Sequence, residues 1–330
     1  MTFPKILVIL SIFLFGSIFV VSYFKKGGEK ITTQAMELTF DPVEIDLVVE
    51  KEPNIKFLER TLEKGSDEQQ SAPFSQAIAE VASEKLESLP ETDRIDELFN
   101  KREPRLPIVE TIIYKSHVPW LKGKSAWIAD YSSHYRTSRH FIARSLNGKA
   151  DYEKQDVKEG DRFNVFNEKK NFDFALLVDL SKAKMWFSYV DLDTGEKVVL
   201  KSYSVCVGRP DKGTASGSLT PIGKYKLGDK VAVYGPKTKG MRQGEKIEMV
   251  RVFGTRWIPF EEEVSGCSEP AKGLGIHGLP LSLNSDGKLI ENTASLGRWE
   301  SDGCIRMATK DVEELFSIII SRRTIIEIVR

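Results

Sequence analysis

Residues 173–208 read DFALLVDLSKAKMWFSYVDLDTGEKVVLKSYSVCVG. Three apolar runs rich in Val, Leu, Phe, Trp and Tyr are separated by the short polar breaks SKA and DTGE, the pattern of consecutive strands joined by tight turns. Breaks this short allow only antiparallel neighbours, so the stretch predicts a meander of hairpins. Further strands are expected in SLTPIGKYKLGD (218–229), after the glycine-rich loop GRPDKGTASGS (208–218), in MVRVFGTRWIPF (249–260), in GLGIHG (273–278) and in the terminal TIIEIV (324–329). One helix interrupts them. Thr309 is placed to cap it, Asp311 suits its first turn, and Val312, Leu315, Phe316 and Ile319 fall on one face. The expected class is mainly β, an antiparallel domain over 171–330 with one or two packed helices.

Working back toward the N-terminus, residues 106–170 carry aromatic and β-branched residues broken by NGK and EGD turns, and are expected to form a small accessory β module. His117, His134 and His140 lie in it at spacings that fit no metal site. Residues 27–105 mix charge with Ser, Gln and Pro and read as a stalk. Two short amphipathic helices are expected in it, one through Ile78, Val81 and Leu86, the other through Ile95, Leu98 and Phe99 starting at Thr92. From Ile6 to Phe24 no residue is charged, about 28 Å of helix at ~1.5 Å per residue, so residues 1–26 are expected to be a transmembrane anchor. The 48 basic and 48 acidic side chains cancel, which argues against nucleic acid as a partner.

Three cysteines cannot all pair within one chain. Cys206 sits in a strand-like run and Cys267 in the loop VSGCSEP, and spacing leaves a disulfide between them open. Cys304 has another setting, SLGRWESDGCIRM (295–307), where Gly303 lets the backbone turn sharply just ahead of a helix. Such a turn exposes a thiol and gathers backbone N–H groups around it, as acyl transfer requires. A thiol with a pKa near ~8.5 needs a base at neutral pH, and His277 in GLGIHGLP is the histidine of this half of the chain.

The segments GRPDKGTASGSLTPIGKYKL, GIHG and SDGCIRM, in that order over residues 173–330, resemble the signature segments of the L,D-transpeptidase catalytic domain, the YkuD-like family. That resemblance implies Cys304 as nucleophile and His277 as its base. It places Ser301, Asp302 and Gly303 at the turn and oxyanion hole, and Arg306 and Gly278 at the substrate. It implies peptidoglycan stem peptides as substrate and no metal or organic cofactor. With the anchor, it puts the domain on the outer, periplasmic side of a bacterial cytoplasmic membrane. Two other outcomes stay open: water as acceptor, making an L,D-carboxypeptidase, and a wall-binding protein that has lost catalysis.

The sequence departs from the family pattern twice. Asp302 stands where the family has histidine, and is expected to pair with His277, orienting or charge-balancing it, or with Arg306. The spacer 278–300 is long, and is expected to form a hairpin or flap with SDGK at its tip.

Overall fold

The computed structural model describes residues 89–115, 127–149, 157–242 and 244–330, all within one compact unit spanning 44–330. The proposed anchor at 6–24, the first stalk helix and His117 lie outside the described residues. Among the described residues no helix is long and apolar enough to cross a membrane.

The meander forms as the sequence predicts. Strands follow a short helix α1 (Asp96–Phe99), strand β1 (Val109–Ile113), helices α2 (Trp127–His134) and α3 (Arg139–Asn147) and strand β2 (Arg162–Phe166). They are β3 (Phe172–Asp179), β4 (Lys184–Asp191) and β5 (Lys197–Ser204). β3 and β4 pair antiparallel from Phe172↔Asp191 to Asp179↔Lys184, and β4 pairs β5 in the same sense. The SKA turn is closed by Asp179, whose Oδ1 accepts from the Ser181 N–H, the Ser181 hydroxyl and the Lys182 N–H.

The remaining elements are β6 (Val207–Gly208), β7 (Gly223–Leu227), β8 (Ala232–Val233), β9 (Lys239–Arg242), β10 (Glu245–Glu248), α4 (Val250–Phe253), β11 (Arg256–Ser265) and β12 (Gly275–Gly278). After them come β13 (Leu281–Leu283), β14 (Leu289–Glu291), β15 (Trp299–Ser301), β16 (Ile305–Met307), α5 (Thr309–Ile319) and β17 (Thr324–Val329). The main sheet runs β16-β12-β11-β7-β17-β3-β4-β5, with β8 on β11.

The domain is mainly β, but it is not purely antiparallel: β12 pairs β16 in parallel, β17 pairs β3 in parallel, and β15 pairs β6 in parallel. Parallel neighbours need a crossover: residues 279–304 connect β12 to β16, residues 209–298 connect β6 to β15, and β17 returns beside β3 from the far end of the chain. MVRVF, expected as strand, is one helical turn instead, stopped at Gly254, whose φ of +60° ends the turn.

Helix α5 buries the face expected of it: Val312, Leu315, Phe316 and Ile319 are at most 2% exposed. Glu314 and Ser317 are buried too, so the helix is covered on more than one side. Its cap differs from the expectation. Ala308 is the N-cap residue, with no side-chain capping bond, and Thr309 donates both its N–H and its hydroxyl to Glu291 Oε2 at 2.7 and 2.8 Å. A carboxylate from the β13–β14 hairpin thus does the capping from outside the helix, where it also meets the positive end of the helix dipole.

Residues 106–170 contain more helix than the small β module expected. β1 and β2 form a two-stranded antiparallel sheet, but 127–134 and 139–147 are helical. The NGK signal is a helix stop: Gly148 at φ +76° returns its N–H to the Arg144 carbonyl, and Ser138 caps the other end through the His140 N–H. Phe141, Ile142, Ser145 and Leu146 make the buried face.

This region shares a core with the sheet. Ile95, Leu98, Leu106, Phe141 and Phe166 belong to the same apolar cluster as Phe174, Phe187 and Leu315. Buried Asn164 fastens the end of the stalk, donating to the carbonyls of Leu98 and Asn100 at 2.8 Å each and accepting from the Thr111 hydroxyl. Thr92 does not cap α1; instead its carbonyl accepts from Ser202 N while Arg94 N donates to Leu200 O, laying 92–94 along β5.

That strap ends at an ion cluster. Lys201 Nζ lies 2.7 Å from Glu314, 3.1 Å from Asp93 and 3.7 Å from Asp311, and the Tyr203 hydroxyl donates to Glu314 at 3.1 Å. Burial pulls the ammonium pKa down, but the hydrogen bond and charge of Glu314 and then Asp93 outweigh it, and the net shift is upward. Lys201→Met leaves the buried Glu314 without its cation and is expected to cost about 3 kcal/mol or more in urea unfolding. Asp93→Asn changes a carboxylate that is 60% exposed and is expected to cost less than about 1 kcal/mol in the same measurement.

Candidate active site

The site is built where two parallel strands begin. β12 and β16 pair Ile276↔Ile305 and His277↔Arg306. Cys304 immediately precedes the first paired residue of β16, and His277 lies one position beyond that residue's partner on the adjacent strand.

Residues 302–304 belong to neither strand nor helix, so their backbone groups must be paired from elsewhere. Ser301, fully buried, accepts from the Gly303 N–H at 3.2 Å and donates to the Cys304 carbonyl at 2.6 Å. The Gly303 carbonyl accepts from the Thr220 hydroxyl at 2.8 Å. Gly303 has φ +119°, and a Cβ there would stand 2.9 Å from the Leu219 carbonyl oxygen, so both conformation and space demand glycine. Cys304 itself is half-buried, its Sγ 3.9 Å from the Gly273 carbonyl.

His277 is 3% exposed, with Phe253 edge-on at 5.3 Å and Trp257 at 5.9 Å. Its Nδ1 lies 2.7 Å from the Gly278 carbonyl oxygen. A carbonyl can only accept, so Nδ1 carries the proton and Nε2 is left with the lone pair, the tautomer a base needs. Gly278 holds that ring through its main chain. It is buried, its carbonyl serves His277, and it lies against Gly254, where a Cβ on residue 254 would come within 2.7 Å of it.

Of the two partners left open for it, Asp302 lies beside Arg306 and not His277. Its Oδ1 accepts from Arg209 Nη2 at 2.6 Å, and its Oδ2 lies 3.8 Å from Arg306 Nη2. Both Asp302 and Arg209 are exposed, whereas His277 is buried. The partner that orients the imidazole is a neutral carbonyl. Arg306 is fixed through its backbone by two bonds to Cys206, at 2.8 and 2.9 Å, with its guanidinium beside Asp302.

All three cysteines are free thiols, so the Cys206–Cys267 bridge left open above does not form. Cys206 is fully buried, which pushes its thiol pKa up, and Cys267 turns its Sγ to the Lys224 carbonyl at 3.0 Å. The spacer forms the expected hairpin: β13 pairs β14, with Asn284 Oδ1 closing the tip through the N–H groups of Asp286 and Lys288. His134 ends α2 edge-on to Tyr135, and His140 meets Phe316 edge-on at 5.3 Å. Among the described residues no group of three or more His, Cys, Asp or Glu side chains is placed to hold a metal.

A cysteine turn and an oriented histidine thus lie on adjacent parallel strands of a mainly β domain. Residues 173–328 match the family model of the L,D-transpeptidase catalytic domain, YkuD. Among solved structures the chain is similar to the helical cell shape determining protein Pgp2 from Campylobacter jejuni, with 16% identity, 48% of each chain covered and a TM-score of 0.31. It is similar also to Bd1075 of Bdellovibrio bacteriovorus, with 17% identity, 49% of each chain covered and a TM-score of 0.32. An L,D-transpeptidase from Mycobacterium tuberculosis H37Rv gives 14% identity over 66% of this chain and 89% of that one, with a TM-score of 0.28. The matches to Pgp2 and Bd1075 thus span about half of those proteins. A comparison with curated proteins gave no match.

Because Asp302 is paired at the surface, Asp302→Asn is expected to cost at most about 1 kcal/mol and to leave the His277 tautomer unchanged. Imidazole nitrogen shifts by NMR check this; loss of the Nδ1–H form in the variant would restore an orienting role for the carboxylate.

Proposed function

We propose that this domain is a peptidoglycan L,D-transpeptidase working through a thioester on Cys304. The observation that carries the reading is the pairing of a thiol on a backbone-locked glycine turn with a histidine whose Nδ1–H is tied to a carbonyl, in a YkuD domain. His277 Nε2 takes the thiol proton, and the thiolate adds to the carbonyl carbon of the third, diamino acid residue of a donor tetrapeptide stem. The carbonyl electron pair moves to oxygen, where the Cys304 N–H opposes its charge. Collapse breaks the C–N bond to the terminal D-alanine, whose amine receives the proton from His277. The thioester is then transferred to an amine of a neighbouring stem. Arg306, and Arg209 beside it, stand at the turn as contacts for substrate carboxylates.

The anchor at residues 6–24 fits this reading: it would hold the domain outside the cytoplasmic membrane, where the wall lies. Incubating the protein with disaccharide-tetrapeptide and identifying products by mass spectrometry tests the assignment. Cross-linked dimer supports it, tripeptide alone makes the protein an L,D-carboxypeptidase, and unchanged substrate makes it a wall-binding protein.

Carbapenems contain a strained acyl donor and are expected to add one equivalent to Cys304 in intact-mass spectra. Cys304→Ala is expected to lose the adduct, and His277→Gln to form it about 10²–10⁴ times more slowly. Cys206→Ser and Cys267→Ser are expected to keep it, since one thiol is buried and neither is bridged. An adduct on either of these two would overturn the choice of nucleophile.

A further inference from the structure

The hydroxyl of Thr220 is fully buried and doubly engaged. It accepts from the Gly208 N–H at 2.6 Å and donates to the Gly303 carbonyl at 2.8 Å. An N–H can only donate, so the single hydroxyl proton is committed to Gly303 and the contact has one polarity. The clasp is reinforced by Ser218, whose Oγ accepts from the Thr220 N–H at 3.1 Å and donates to the Gly208 carbonyl at 2.9 Å. The backbones approach so closely that a Cβ on Gly208 would lie 2.2 Å from the Thr220 nitrogen. Two glycines, at 208 and 303, and two hydroxyls, at 218 and 220, therefore build one joint between the glycine-rich loop and the cysteine turn.

The carbonyl that Thr220 holds belongs to the peptide whose other end is the Cys304 N–H. A trans peptide is planar, so its C=O and N–H point in opposite directions, and fixing one fixes the other. We propose that Thr220 is a positioning residue for acylation: by holding the Gly303 carbonyl inward it aims the Cys304 N–H at the oxyanion of the tetrahedral intermediate. The role rests on the acyl-transfer reading above. In the step it serves, the Cys304 sulfur bonds to the acyl carbon, the carbonyl pair moves to oxygen, and that oxygen needs its donor already in place. Misdirection by a fraction of an ångström is enough to be felt in the rate.

The test compares two reactions of the same thiol in Thr220→Val and Thr220→Ser. A carbapenem acylates Cys304 through an oxyanion. Iodoacetamide alkylates it by displacing iodide at a saturated carbon, with no oxyanion to stabilise. Thr220→Val is expected to lower the saturating acylation rate at least about tenfold, to leave the alkylation rate within about threefold, and to be rescued by Thr220→Ser. Acylation within about threefold of wild type in Thr220→Val would overturn the proposal. So would a parallel fall in both reactions, which would mean a structural role only. If Thr220→Val loses its wild-type circular dichroism, Thr220→Ala removes the hydroxyl without adding a methyl at its place, and the same two rates decide. Wild-type protein that alkylates at Cys304 but never acylates would sink the acyl-transfer reading itself, and this role with it.

Discussion

A carbonyl turned into the protein at Gly303 is the constraint around which the site is arranged. The turn from Ser301 to Cys304 breaks out of β15 before β16 begins, and a buried turn cannot leave its backbone groups to water. Ser301 serves two of them from within the turn, and Thr220 serves the third from across the cleft. Thr220 can reach only if the loop 208–220 is drawn against the turn, which explains the glycines at both contact points and the buried hydroxyls of Ser216 and Ser218. The side chain of Arg330 holds the far side of the same loop, donating to the Ser216 carbonyl at 2.7 Å.

Charge is distributed by the cost of burying it. A carboxylate set against the buried His277 would have to lose its water, several kcal/mol before any attraction is counted. A backbone carbonyl orients the ring without that cost, and Gly278 provides it. Asp302 stays in solvent between two guanidinium groups, where its field is opposed at short range and screened beyond it. A buried ion cluster, around Lys201, lies instead at the strap and helix α5, where it ties residue 93 to the helix that follows the cysteine turn. Covering α5 from two sides in this way joins the end of the stalk, the accessory helix α3 and the sheet around one apolar core.

The sequence by itself determined the mainly β class, the β3–β5 meander, the apolar face of α5 and the hairpin at 281–291, because each is a local pattern of period or turn chemistry. It also drew attention to Cys304, after a glycine turn, and to His277, the histidine of that half of the chain, and the family resemblance suggested their roles. The helix at 139–147 was legible in the Ser138 cap and Gly148 stop, but Asn-Gly signals a hairpin as well as a helix end, and only packing against Phe166 and α5 selects between them. Tertiary structure alone decided the partners. That Asp302 meets Arg209 and not His277, that Thr220 holds Gly303 and that Glu291 caps α5 are contacts across 93, 83 and 18 residues. No spacing rule encodes them, because which donor reaches which acceptor depends on how the sheet brings distant loops to one edge.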